Sequence, residues 1–239
     1  MTNIVETWAR SNVRRVLDPD IPAYLEKTYW WAYVRSEAIA FWDRQWLVNL
    51  ILFGNFERLR DAALKEFDPE AAGRNLQITC VYGDISVKLA KRVTRRGSLD
   101  ILDIVPGQLE NVRRKLGGVE NVRTIRGNAT ALKFADDTYD QVMLFFLLHE
   151  TPDEFKEKTL SEALRVLKPG GKLVIVDYDR PAMFHPLRLF LYVILRWLEP
   201  FALVLWHRPL TSWLPAGRVR ELTRETFFGG MYQKIVVRV

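Results

Sequence analysis

The chain has 239 residues, 49% of them hydrophobic, with 35 basic and 29 acidic side chains and a formal net charge of +6. That length holds one α/β domain with added helices, or at most two small domains, and the hydrophobic content suffices for a sizeable core. No nucleic-acid partner is expected from so mild a basic excess, which serves solubility or weak attraction to anionic surfaces. The single cysteine, Cys80, sits inside an apolar stretch, so it reads as a buried structural thiol in a reducing compartment. The first residues, MTNIVETWARSNVRRV, contain no apolar run of signal-peptide length, and export is not expected.

Residues 1–70 read as an aromatic-rich helical cap. Pro22 and Tyr24 open it. From Thr28 to Phe67 apolar residues recur at mixed spacings of three and four, among them Trp30, Tyr33, Ile39, Trp42, Trp46, Leu50 and Phe53. These are too many large rings for one solvent-facing helix. The segment is either a cap packed on the domain or the wall of a pocket for a bulky apolar substrate. Gly54 allows a break before a more polar helix ending at Phe67.

From Asn75 onward strands and helices alternate at the pace of βα units. The stretch LQITCVYGDISVKL predicts a strand over Leu76–Val81, a tight turn at Gly83 and a helix over Ile85–Val93. A strand entering a helix through such a turn leaves backbone N–H groups without partners and makes a seat for a polar ligand. SLDILDIV then predicts a strand ending in Asp103, and Pro106 starts a helix that Gly117-Gly118 stops. NVRTIRG is a third strand leading to Asn128. YDQVMLFFLLHE is a fourth, apolar enough to be buried on both faces. A helix over Asp153–Val166 ends at LKPGGK, which turns into a fifth strand, LVIVDYD. The fold class is therefore α/β, a doubly wound, Rossmann-like sheet whose ligand site lies at the strands' C-terminal ends.

The segment 181–214 breaks this rhythm with an apolar helical insertion before the last strand. Arg188, Arg196, Glu199 and Pro200 interrupt it, and no run reaches the ~18 apolar residues of a membrane span. Two short amphipathic helices parted at Pro200 fit it. They either pack as an insertion or lie at a bilayer surface with Arg188, Arg196, His207 and Arg208 at the headgroups. A helix near Arg218–Arg224 and an antiparallel edge strand, YQKIVVRV, finish the chain.

The order of strand–turn–helix, LDIVPGQLENVRRKL, GNATALKFADDTYDQV and ALRVLKPGGKLVIVD resembles the class I S-adenosylmethionine-dependent methyltransferases, most of all the quinone-biosynthesis C-methyltransferases. The first motif departs from that pattern. Thr79, Val81, Gly83 and Ile85 stand where an acidic residue and three glycines are usual. With the aromatic N-terminal region and the VYGDIS turn, this departure resembles the bacterial rhodoquinone-biosynthesis family. The resemblance implies replacement of a ubiquinone methoxy group by an amine, with S-adenosylmethionine as amino donor and a divalent metal, manganese favoured. It also implies a ubiquinone partner and a peripheral place on the inner, cytoplasmic face of the bacterial cytoplasmic membrane, and it leaves homo-oligomerisation open. An ordinary quinone or phenol methyltransferase, or a non-catalytic accessory subunit, remains the alternative.

The same resemblance assigns Val81, Tyr82, Gly83, Asp103, Ile104, Asn128, Ala129 and Phe145 to the cofactor bed. Asp103 would accept hydrogen bonds from ribose hydroxyls, a task a carboxylate does well, or cap a helix. Asn128 would read the adenine edge or cap its loop. Asp84, assisted by Tyr82, would take the proton from the transferred amine, or serve as N-cap. His149, Asp177 and Asp179 form a candidate metal set, since Asp177 and Asp179 share one face of their strand. In the competing reading His149 is a satisfied pocket histidine and Asp179 pairs with Arg180.

Overall fold

In the computed structural model, which describes residues 21–29, 36–67, 73–93 and 96–239, seven strands form one sheet in the order β3-β2-β1-β4-β5-β7-β6. The strands are β1 (Arg74–Ile78), β2 (Ser98–Asp103), β3 (Val122–Arg126), β4 (Tyr139–Phe145), β5 (Leu167–Tyr178), β6 (Glu221–Phe227) and β7 (Tyr232–Arg238). The first five run parallel, with Gln77 paired to Ile101 on one side and to Met143 on the other. β7 lies antiparallel between β5 and β6. Strand order reverses between β1 and β4, which opens a crevice beyond their C-terminal ends. The expected doubly wound sheet is therefore present.

Four helices precede the sheet in the described chain: α1 (Ala23–Thr28), α2 (Ser36–Trp42), α3 (Gln45–Ile51) and α4 (Phe56–Lys65). Phe56, Leu59, Ala63 and Leu64 make α4 amphipathic, and its buried face joins the same core as Leu76, Ile78 and Val174 of the sheet. Part of the aromatic-rich region is thus core. Trp30 and Tyr33, and the division at residue 70, lie outside the described residues.

Between strands run α5 (Ile85–Arg92), α6 (Pro106–Leu116) and α7 (Asp153–Arg165). Pro106 presets the first turn of α6, and Gly117 ends it at φ +62°, a left-handed conformation that a side chain would disfavour. The insertion folds as α8 (Arg188–Leu198), the short α9 (Val204–His207) and a single 3-10 turn (Leu210–Trp213). Among the described residues no helix is long and apolar enough to cross a membrane.

Three expectations about the elements need correction. β1 ends at Ile78, not Val81, so Val81 belongs to the turn. The apolar run of β4 stops at Phe145. Leu148–Glu150 then forms a 3-10 turn, because the Asp177 carboxylate captures the Leu148 N–H at 2.8 Å and bends the chain. Residues 221–227, part of which read as a helix, form edge strand β6, so YQKIVVRV is an interior strand rather than the edge. β6 exposes every side chain but Phe227, so no apolar periodicity marks it; its hairpin with β7, turning through Gly229 and Gly230 at positive φ, defines it.

Candidate functional site

A cavity of about 500 Å³ opens beyond the C-terminal ends of β1, β2 and β4. Its polar lining includes Asp103, Gln108, Asn128 and Thr130. Its aromatic wall is made by Tyr24, Tyr29, Phe53, Phe56, Phe146 and Phe155, and α8 adds Phe190, Ile194 and Leu195. Apolar walls with few convergent polar groups are the usual form of a small-molecule site. Of the cofactor-bed candidates, Val81, Tyr82, Asp103, Ile104, Asn128, Ala129 and Phe145 all line it.

Asp103 ends β2 with both carboxylate oxygens engaged. Oδ2 accepts the Cys80 N–H at 2.7 Å and Oδ1 the Val105 N–H at 2.8 Å. Burial pushes its pKa up to about 6, with these backbone donors holding it down. The Ile104 N–H and the Cys80 thiol also approach the carboxylate, which nonetheless borders the cavity. Gln108, on the first turn of α6, lines the cavity with both amide atoms buried and without hydrogen bonds. The Tyr82 hydroxyl lies near enough to feel that amide but not in bonding geometry, and burial raises its pKa far above that of a free phenol. An orphaned buried amide is costly unless a ligand pairs it. Asn128 is occupied at Oδ1 by Thr130 N–H (2.9 Å) and Oγ1 (2.8 Å), a loop cap that still leaves its Nδ2 to donate. Asp103 and Gln108 therefore fit the ribose and polar edges of the nucleoside cofactor that the sequence implies.

His149, also in the lining, sits between the carboxylates of Asp177 and Glu199. Its Nδ1 meets Asp177 Oδ1 at 2.9 Å, and its Nε2 lies 3.0 Å from Glu199 Oε2, an ion-pair approach off the hydrogen-bonding direction. Burial alone would lower the His149 pKa, but Asp177 and Glu199 raise it well above the ordinary value, so the ring is an imidazolium. Glu199 comes from the C-terminal end of α8 and Asp177 from β5. Neither is near His149 in sequence.

The proposed metal set is not assembled. Asp177 spends its oxygens on His149 and on the backbone N–H groups of Leu148 and Tyr178. Asp179 turns away to the Arg180 N–H (2.7 Å) and the Arg224 guanidinium. Among the described residues no group of three acidic, His or Cys side chains could hold a metal ion. The donors present do not fit manganese.

The turn after β1 also differs from expectation. Gly83 adopts φ +85°, and its N–H, rather than standing open, donates to Asp43 Oδ1 at 2.9 Å. Lys115 Nζ ties this knot at 2.7 Å to Asp43 and 2.7 Å to the Gly83 carbonyl. A Cβ on Gly83 would stand 2.5 Å from the Phe56 ring, so the turn is filled by protein and Gly83 does not border the cavity. Ile85 packs wholly in the core. Asp84 points to Arg60 Nη1 at 2.9 and 3.1 Å and lies outside the cavity lining, so it is not set to take a proton there. It occupies the N-cap position of α5 without a side-chain capping bond.

Sequence reasoning missed Gln108, Glu199 and Asp43. A polar residue on the buried first turn of α6 was the available signal for Gln108. For the other two only tertiary packing supplies it.

A family model described as the ubiE/COQ5 methyltransferase family matches residues 42–198. Among curated relatives, the demethylmenaquinone methyltransferase of Bacillus subtilis is 30% identical over 155 residues, covering 64% of this chain and 65% of its own. The ubiquinone/menaquinone biosynthesis C-methyltransferase of a Marinomonas species is 34% identical over 139 residues, covering 56% and 55%. The match thus spans just over half to just under two thirds of these relatives' length. The crystal structure of the N-methyltransferase NodS of Bradyrhizobium japonicum superposes with a TM-score of 0.54 over 76% of this chain and 92% of that one at 14% identity, a likeness of fold.

Proposed function

Because the chain belongs to the ubiE/COQ5 methyltransferase family, we propose that it is an S-adenosylmethionine-dependent transferase acting on the ring of a lipid quinone. The observation that carries this reading is one cavity lined both by the polar groups of Asp103 and Gln108 and by an aromatic wall. Bound S-adenosylmethionine supplies an electrophilic methyl group; both relatives are named as methyltransferases, and the Marinomonas one as a C-methyltransferase. Asp103 would accept from the ribose hydroxyls, and Gln108 and the Asn128 Nδ2 would pair the remaining polar edges. Aromatic walls exclude water from the quinone head. Glu199 Oε2, buried beside His149 Nε2 at 3.0 Å, takes the proton from a ring hydroxyl as the ring carbon becomes nucleophilic. The His149 ring, held by Asp177, sets the position of the Glu199 carboxylate.

The filled Gly83 turn favours a second reading, exchange of a ubiquinone methoxy group for an amine to give rhodoquinone. With Asp43 on the Gly83 N–H and with Val81 and Tyr82 lining the cavity, the amino-acid end of the cofactor would lack an open glycine seat and would have to be held by other groups. No step is routed through a metal. Incubating the purified chain with S-adenosylmethionine and a short-chain quinone, reduced or oxidised, tests both readings by product mass. A product heavier by one methylene supports C-methylation. A lighter, nitrogen-containing product supports amine exchange. No product together with no cofactor binding by calorimetry overturns the transferase and leaves an accessory subunit.

A further inference from the structure

The helix that walls the aromatic chamber is apolar on its outside as well. On α8, Leu191 and Leu195 face inward, whereas Leu189, Val193 and Trp197, four residues apart, form a stripe on the opposite side. Trp197 is 80% exposed, and Phe184, just before the helix, is 90% exposed. An amphipathic helix packed on a soluble domain normally turns a polar face to water. The sequence of α8, RLFLYVILRWL, contains two arginines, no acidic residue and no other charge.

This stripe borders the cavity mouth. Leu50 of α3 and Phe190 of α8 both line the cavity and yet are 64% and 54% exposed, so the opening lies between these two helices. Trp46 on α3 extends the exposed apolar surface on the other lip. Exposed apolar side chains gathered around a pocket mouth mark an interaction surface rather than scattered surface residues. Arg188 and Arg196 flank the stripe, and Arg44 adjoins Trp46 at the start of α3. Pairing this face with its own copy would bring like charges together. A bilayer with anionic headgroups satisfies both components at once: aromatic and aliphatic side chains enter the boundary of the acyl chains while arginines meet phosphates.

We propose that the face formed by Phe184, Leu189, Val193 and Trp197, flanked by Arg188 and Arg196, seats in the surface of an anionic bilayer, so that the cavity mouth opens toward the acyl chains. The proposal rests on the lipid-quinone reading, since a substrate with an isoprenoid tail would then enter the chamber without crossing water. None of the four apolar residues borders the cavity.

The test is flotation of the full chain with vesicles of phosphatidylcholine alone or mixed with phosphatidylglycerol, beside the triple variant Phe184→Ser, Leu189→Ser, Trp197→Ser. The unaltered protein floats with the mixed vesicles and much less with the neutral ones. The triple variant loses this partitioning by more than tenfold, while its cofactor affinity and its turnover of a short-chain quinone stay unchanged. Unaltered protein remaining at the bottom of the gradient, or a variant that floats equally well, overturns the proposal. So does a concentration-dependent dimer abolished by the same substitutions, which would assign the face to a second copy. Turnover of short-chain quinone without flotation sinks the docking alone. Flotation lost in the variant, with no quinone turned over by either protein, supports the docking and sinks the substrate reading.

Discussion

Asparagine at position 103 separates the charge of a buried carboxylate from its shape. Asp103 sits at the end of β2 with a backbone N–H on each oxygen and a pKa of about 6, against an ordinary value of 3.8. Between pH 3.8 and 6 the folded protein holds a proton that the unfolded chain has released. The stability this group contributes is therefore full below about pH 4 and is lost as pH rises through 6. At ~1.36 kcal/mol per pH unit the loss is about 3 kcal/mol. Asp103→Asn removes that loss but sets an amide NH₂ against one backbone N–H, costing ~1–3 kcal/mol. The two nearly cancel near neutral pH, so stability barely reports on the site. Cofactor affinity does. A ligand hydroxyl bound to a carboxylate contributes ~1.5–3 kcal/mol, so the variant should bind S-adenosylmethionine roughly 10- to 150-fold more weakly at pH 8. Calorimetric titration at pH 8 and 5.5, with a melting curve to establish folding, measures this. The unaltered protein should lose affinity below about pH 6, approaching tenfold per pH unit, and the variant should show no such slope. A folded variant with affinity within about twofold of the unaltered protein at pH 8, or with the same slope, would refute the role of Asp103.

Glu199→Gln should lower kcat for a short-chain quinol by ~10²–10⁴ with KM little changed, because the amide cannot take the ring proton; an equal effect on KM alone would reduce Glu199 to a wall. Asp84→Asn should leave cofactor binding and turnover within about twofold and cost under ~1 kcal/mol in urea unfolding, since its partner Arg60 keeps Asp61 at 2.8 Å. Gly83→Ala should destabilise by more than ~2 kcal/mol in thermal melts, combining the left-handed φ of +85° with a Cβ 2.5 Å from Phe56; a neutral effect would mean the turn is not packed as described. His149→Ala should cost ~3–5 kcal/mol by leaving Asp177 buried without its charged partner, read as a drop in urea midpoint.

Much of the fold was legible because its signals are local. The alternation of apolar strands with helical segments, Pro106 opening α6 and Gly117 closing it each depend on residues close in sequence, whereas LKPGG, expected as a turn, is the first part of β5. Asp103 could be nominated because strand ends in a parallel sheet face one crevice whatever the loops do, and Asn128 because the family resemblance assigns that position to the cofactor bed. Tertiary structure decided the rest. Residues 221–227 carry no apolar period, and only pairing with β7 makes them a strand. Asp84 follows a strand–turn–helix that suggests a ligand seat, yet Arg60, 24 residues upstream, draws its carboxylate outward, while Asp43, 40 residues upstream, takes the neighbouring N–H. His149, Asp177 and Glu199 meet only because β5 and the end of α8 converge on the turn after β4. The direction of a side chain at a turn, and the identity of its partner, are set by packing energies between segments that sequence spacing does not encode. The chain's order of residues therefore determined where the crevice would lie, and tertiary contacts decided which groups stand in it.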